Sequence, residues 1–423
     1  MSVLVTVARL ALRSLWNRRL TAGLTVLAIA LSAAMLLGVE KVRRDARQAF
    51  ADTISGTDLI VGARGGAVQL LLYSVFRIGN ATNNISWETY RELAAHRSVA
   101  WTVPLSLGDS HRGYRVLGTN TEYFARYKYA GDRPLTLAAG KPFDDVFDAV
   151  LGAEVARRLG YALGDPIVVT HGAGEAGLRN HDDKPFRVSG ILAPTGTPVD
   201  RTVHVSLEGI EAMHIDWKGG APIPGRRTDA EAARKMDLEP RTITAFLVGL
   251  DSKLALFRLQ RTISTYRAEP LQAIIPGVAL QELWDLMGVA ENALRVISVM
   301  VAVTGLLGMA AVILASLESR RREMAVLRSV GARPAHVFGL LMSESATLGL
   351  AGVATGLGLL HALVLAARPV VSRLFGLHLP LAPPTTLDLA LLGAVVLAAL
   401  AAGALPAWRA YRMSLADGLS PRV

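Results

Sequence analysis

Glu318-Ser319-Arg320-Arg321-Arg322-Glu323-Met324-Ala325-Val326-Leu327-Arg328-Ser329-Val330-Gly331-Ala332 is a charged, then amphipathic stretch set between two long apolar runs. Working outward from it, Val296–Leu317 precedes it and Val337–Ala367 follows it. Further apolar runs occur at Leu20–Val39 and Leu389–Trp408. Each holds at least about 18 apolar or small residues, enough to cross a hydrocarbon core of roughly 30 Å at about 1.5 Å per residue. The reading is an α-helical membrane protein with four transmembrane helices, plus a large extracytoplasmic α/β domain inserted between helices 1 and 2.

Composition agrees with that class. Apolar residues make up 51% and charged residues only 19% of the 423 residues, and the mean hydropathy is +0.35. There is no cysteine, which excludes disulfide staples and thiolate metal sites. The net charge of +10 is clustered beside the apolar runs. Arg9, Arg13, Arg18 and Arg19 precede the first run, and five arginines lie in 318–336. Charge placed there fits the positive-inside rule and argues against nucleic acid as a partner. Lys41, Arg43, Arg44 and Arg47 produce a tie across the first helix, but the 368–388 link carries only Arg368 and Arg373. Both termini and the 318–336 link are therefore expected in the cytoplasm. The first run reads as a retained span rather than a secretory leader, because it continues through Met35-Leu36-Leu37.

The expected organisation runs from a cytoplasmic amphipathic segment at 1–19 to a first span at 20–39. An extracytoplasmic domain with a stalk helix follows at 40–295, then a second span at 296–317. The segment 318–336 is a short cytoplasmic helix, 337–367 the third span and 368–388 an outer loop. The fourth span is 389–408, and 409–423 is a cytoplasmic tail. Within the large domain, Ser86 reads as the N-cap of a helix over 86–97, and a second helix is expected over Gly152–Leu159. Ile167–Thr170, Phe186–Leu192, Thr202–Val205 and Thr242–Leu250 read as strands, and 194–198 as a turn. Residues 218–233 read as a flexible loop. Residues 277–295 are amphipathic and are expected to form a helix running into the second span.

In the third span Ser345, Gly349, Gly352 and Gly356 share one helical face, suited to close backbone approach between helices in lipid. Glu344 lies about one to two turns inside that span, as a functional acid facing protein or water or as an interfacial residue. His361 reads as a packing histidine or a proton or ligand group. Ala67–Phe76 (AVQLLLYSVF) reads as a buried core element or as a surface that handles an apolar substrate or lipid. His171, His181, Asp182 and Asp183 are weak candidates for a metal set, because their spacing matches no standard pattern. The sequence has no G-x-x-x-x-G-K-[ST] phosphate loop, no H-E-x-x-H pair and no G-x-S-x-G elbow, so no catalytic residue is expected.

The string ESRRREMAVLRSVGARPAHVFGLLMSES resembles the signature of MacB/FtsX-type ABC transporter permeases, the type VII or mechanotransmission class. LALRSLWNRRL resembles the approach to that family's first span, and Pro406-Ala407-Trp408-Arg409-Ala410 resembles the end of its last one. VLGAEVARRLGYALGDPIVV and FRVSGILAPTGTPVDRTVHVSL resemble its MacB-like periplasmic core domain. The resemblance implies a multi-pass protein of the bacterial inner membrane with a periplasmic domain. It implies a second permease copy or homologue and a cytoplasmic ABC ATPase dimer that binds ATP and Mg, with no cofactor on this chain. It also implies that Arg321, Arg322, Glu323, Leu327, Arg328, Gly331 and Ala332 belong to a coupling helix, and that Glu344 opens the third span. Unlike MacB itself, the sequence carries no fused ATPase domain, which points to a separate subunit. A periplasmic partner protein and membrane lipid are further expected partners, and the alternative functions are a non-transporting regulator of a periplasmic partner such as a cell-wall hydrolase and a component of metal-linked transport.

Overall fold

The computed structural model describes residues 3–172, 179–180, 183–218, 221–223, 228–329, 331–375 and 381–412. The chain divides into two compact units. One comprises Met1–Asp45, Gly288–Val370 and Leu379–Val423, and the other Ala46–Met287 and Val371–His378.

The first unit is helical. Among the described residues, four helices are long and apolar enough to span a membrane. The first spanning helix is Arg19–Ala51, preceded by Val3–Asn17. The others are Pro276–Ser329, Pro334–Phe375 and Thr386–Arg412. Leu24, Leu31, Leu307, Leu350, Leu363 and Leu397 are exposed on these helices, which suits helices whose outer faces meet lipid tails as apolar as themselves. The inward faces carry Ile29, Met309, Ile313, Leu341, Leu348 and Ala399 in one buried cluster. Ser32 Oγ lies 3.2 Å from the Val301 carbonyl, which ties the first helix to the second.

The fourth helix begins with a reciprocal cap. Thr385 N donates to Asp388 Oδ2 at 2.9 Å, and Asp388 N donates to Thr385 Oγ1 at 3.3 Å. Arg44 of the first helix donates to both carboxylate oxygens of Asp388, at 3.3 and 3.2 Å. Arg43 pairs with Glu40, and Arg295 reaches Glu40 at 3.7 Å. Lys41 pairs with Asp45 at 2.7 Å. Lys41, Arg43 and Arg44, three of the four basic residues that tie the charge count across the first helix, thus have carboxylates beside them.

The second unit is mixed α/β. Among the described residues its main sheet has twelve strands, and nine of them form one continuous path: β1 Leu59–Ala63, β2 Val99–His111, β3 Tyr114–Thr119, β4 Leu137–Gly140, β5 Asp148–Leu151, β6 Phe186–Leu192, β7 Thr202–Ser206, β8 Ala245–Leu250 and β9 Leu271–Ile274. Their spatial order is β9-β1-β8-β2-β3-β7-β5-β6-β4. The β3/β7 and β5/β6 pairs are parallel, and the remaining neighbours are antiparallel. β7 is buried along its whole length. Val203 and Val205 enter one apolar cluster with Phe147, Phe186 and Val188. His204, between them in sequence, contacts the rings of Tyr123 and Phe124. Burial pushes the His204 imidazole down to about 3, so it stays neutral as a core residue.

Several local expectations agree with the structure. Ser86 accepts a hydrogen bond from Thr89 N at 3.2 Å and caps the helix Trp87–Ala94. Gly152 caps Ala153–Leu159, which ends at Gly160 with φ +72°. Others are corrected. Ile167–Thr170 is not one strand: Ile167 pairs with Phe186, whereas Thr170 pairs with Ser110, so the chain changes partner midway. Thr242–Leu250 is likewise broken at Thr244, whose Oγ1 accepts from Leu107 N at 2.9 Å. Of the loop expected over 218–233, residues 219–220 and 224–227 lie outside the described residues, and its end instead enters a short helix at Ala230–Arg234, because Asp229 accepts from Ala232 N at 2.7 Å and starts a turn.

Candidate functional site

The segment read as a coupling helix is continuous with the second span. Pro276–Ser329 is one helix of 54 residues, and no proline occurs between Gly277 and Arg333 to interrupt its ladder. A separate short helix after the second span is therefore not what forms. The helix stops where Gly331 takes φ +103°, a conformation that glycine adopts without strain. Gly331 N donates to Arg328 O at 3.1 Å, and the third helix starts at Pro334. Arg328 and Ala332 are half-buried and Gly331 is exposed. The side chains of Arg321, Arg322, Glu323 and Leu327 lie outside the described residues.

The small-residue face of the third helix has two partners. Ser345 packs on Gly403 of the fourth helix, and a Cβ at Gly349 would sit 3.0 Å from Ala399 Cβ. One turn on, the face turns to the first helix. A Cβ at Gly352 would lie 2.5 Å from Ile29 Cγ2, and one at Gly356 would lie 2.6 Å from the Ala30 carbonyl oxygen. The spacing of small residues therefore marks two consecutive close approaches. Glu344 is 5% exposed. It borders a cavity of about 300 Å³ together with Ser14, Arg18, Thr21, Thr25 and Ala315, so it is an acid that faces protein and a partly polar cavity. His361 Nδ1 lies 2.9 Å from the Leu357 carbonyl four residues earlier, a bond within its own helix.

Ala67–Phe76 is resolved in favour of the core. Ala67–Ser74 is a helix, and Leu70, Leu71, Tyr73, Val75 and Phe76 are all buried. It offers no ready apolar surface to a substrate or to lipid. The run is apolar because it fills the domain between the sheet and Phe50, whose ring lies 4.4 Å from that of Phe76.

Of the weak metal candidates, His171 is described, and His181 and Asp182 lie outside the described residues. Sequence spacing missed the two groups that converge on His171. The short strand Thr170–His171 pairs with β2, placing His171 opposite Asp109. Nδ1 of His171 lies 3.1 Å from Asp109 Oδ1. His214, the last residue of the helix Leu207–His214, brings Nε2 to 3.3 Å from His171 Nδ1 and 3.8 Å from Asp109 Oδ1. The hydrogen bond to Asp109 holds the His171 imidazole above its ordinary pKa against the opposing effect of burial. Asp183 instead pairs at 3.0 Å with Lys184, whose ammonium also meets Asp216 at 3.1 Å.

Residues 22–236 match the MacB-like periplasmic core domain family. Residues 295–415 match the FtsX-like permease C-terminal family. Among solved structures, the periplasmic region of MacB from Actinobacillus actinomycetemcomitans is 13% identical, with a TM-score of 0.33, over 55% of this chain and 94% of its own. The extracellular domain of YknZ, a noncanonic ABC-type transporter from Gram-positive bacteria, is 13% identical, with a TM-score of 0.31, over 52% of this chain and 99% of its own. No curated protein matches. The first family alone accounts for half of the residues, and the second takes in most of the membrane helices that follow the outer domain. The chain belongs to the MacB/FtsX-type family of ABC transporter permeases, and is a membrane protein with a MacB-like extracytoplasmic domain between its first and second spans.

Proposed function

We propose that this permease couples ATP hydrolysis by a separate cytoplasmic ABC ATPase dimer to movement of its periplasmic domain. It does so in the bacterial inner membrane, beside a second permease copy or homologue, with ATP and Mg held by the ATPase. Family membership supports the permease class, since permeases of this family work with ABC ATPase partners. The observation that carries the coupling is the uninterrupted helix Pro276–Ser329. At about 1.5 Å per residue it is about 80 Å long. A displacement applied near Arg328 is passed along a hydrogen-bonded rod rather than absorbed by a hinge. The ATPase supplies the two states, and the rod must differ in position between them for nucleotide to bias the outer domain. The output is export, extraction or mechanical control of a periplasmic partner protein.

Arg328→Glu tests the docking end. Reversing a charge in a docking surface of this kind weakens association by about 2 kcal/mol or more, roughly a thirtyfold loss. A tagged chain isolated from its host in mild detergent should retain a small ATPase at one-to-one stoichiometry. The Arg328→Glu and Glu323→Arg variants should lose it while their thermal unfolding stays that of the unsubstituted chain. Undiminished ATPase in both variants would reject the docking assignment.

A further inference from the structure

We propose that Asp109, His171 and His214 form a binding site for a first-row transition-metal ion, Zn²⁺ foremost, in the periplasmic domain. The three ligand atoms lie 3.1, 3.3 and 3.8 Å apart. In a tetrahedral zinc site with metal–ligand bonds of about 2.0–2.2 Å, neighbouring ligand atoms are separated by roughly 3.3–3.5 Å. The cluster thus already has the dimensions of one face of that tetrahedron, and a movement of a few tenths of an ångström closes it. Two imidazole nitrogens and one carboxylate oxygen are the donor set that borderline-soft divalent ions prefer. The fourth position is left to water or to a ligand from elsewhere.

The surroundings favour the ion as well. The His214 Nδ1 lies 2.9 Å from the Ile210 carbonyl oxygen. A hydrogen bond there puts the proton on Nδ1 and leaves the Nε2 lone pair aimed at His171 and Asp109, as in the outer shell of many metal-bound histidines. Asp109 is 4% exposed. It sits where the β2/β3 register shifts between Leu107 and Ser110, a bulge that turns its side chain out of the regular alternation. The ring of Trp217 lies 5.4 Å from that of His171 and 6.3 Å from that of His214, forming an apolar wall. Both imidazoles keep about a quarter to a third of their surface exposed, at 26% and 32%, which gives an ion a way in.

The site does not depend on the coupling mechanism, so its test is separate. The full chain, carrying a tag without histidines and stripped with chelator in detergent, is equilibrated with Zn²⁺ alone and dialysed. Elemental analysis is expected to give one Zn²⁺ per chain. Co²⁺ in its place is expected to show the intense visible bands of a tetrahedral ion. His171→Ala and His214→Ala should each take bound Zn²⁺ to background, and Zn²⁺ should raise the unfolding temperature of the unsubstituted chain but not of the variants. Absence of stoichiometric Zn²⁺ on the unsubstituted chain overturns the proposal whatever the variants do. So does Zn²⁺ binding that survives the paired substitution of both histidines, or a Co²⁺ spectrum of the weak octahedral kind.

Discussion

Gly356→Leu is expected to lower the thermal stability of the membrane bundle sharply, whereas Gly358→Leu, two residues along the same helix, leaves it nearly unchanged. At Gly356 even a Cβ would stand 2.6 Å from the Ala30 carbonyl oxygen, 2.9 Å from Ala33 Cβ and 3.2 Å from Ala30 Cα. Two of those three atoms are backbone and cannot rotate away, so the first and third helices must separate. Forcing extra methylenes into a packed contact costs typically about 1–3 kcal/mol. The whole isobutyl group of leucine at a backbone contact belongs at or above the top of that range. Around Gly358 nothing lies within 4 Å of a built Cβ, and leucine there adds only exposed surface. Unfolding temperatures of the two variants in the same detergent decide the matter. Equal losses would show that helix propensity or insertion, rather than contact with the first helix, governs the position.

The second large effect is expected in the outer domain. Lys184 is 1% exposed, and its ammonium lies between Asp183 and Asp216. Asp216 is itself 4% exposed and also accepts from Thr228 N and Oγ1, each at 2.7 Å. Burial raises the Asp216 pKa, but the Thr228 and Lys184 hydrogen bonds outweigh it and hold the carboxyl below its usual value. A carboxylate with a depressed folded pKa adds stability above its unfolded pKa, and that contribution is lost as pH falls through the folded value. Lys184→Met strips the buried carboxylate of its cation, and breaking a buried pair by removing one partner costs about 3–5 kcal/mol. Arg91→Met is the control. Its 3.0 Å pair with Glu239 is exposed, with 60% and 49% of the side chains accessible, and such pairs contribute about 0–1 kcal/mol. Amide exchange along β6, which begins two residues after Lys184, should accelerate strongly in the first variant and little in the second. Similar acceleration in both would mean that the buried pair carries no special weight.

These effects differ in how visible they were in the sequence. The Ser345–Gly349–Gly352–Gly356 face could be read from spacing, because helical periodicity places such residues together whatever the tertiary contacts. The four spans could be read from length and apolarity for the same reason. The strand Phe186–Leu192 was readable because its burial alternates along its length. What escaped the sequence is what tertiary pairing creates. Asp109, His171 and His214 are far apart in the chain, and only the β2 pairing and the end of a helix bring them together. The split of Ile167–Thr170 likewise follows from two competing partner strands, which local β-propensity cannot reveal. The carboxylates beside Arg43 and Arg44 come from other parts of the chain as well as their own helix. The cap on the fourth helix is a different case. Thr385-Thr386-Leu387-Asp388 has capping-box spacing with an aspartate in the acidic position, and could have been recognised from the sequence.

Nucleotide on a cytoplasmic partner is expected to alter the outer domain through this chain. The most direct test is hydrogen exchange of residues 46–287 in the permease–ATPase complex, reconstituted in nanodiscs, with and without ATP and vanadate. A nucleotide-dependent change in protection is expected within the α/β domain and at the start of the helix Pro276–Ser329, abolished by Arg328→Glu. Identical exchange in all nucleotide states, in a complex that hydrolyses ATP, would contradict it.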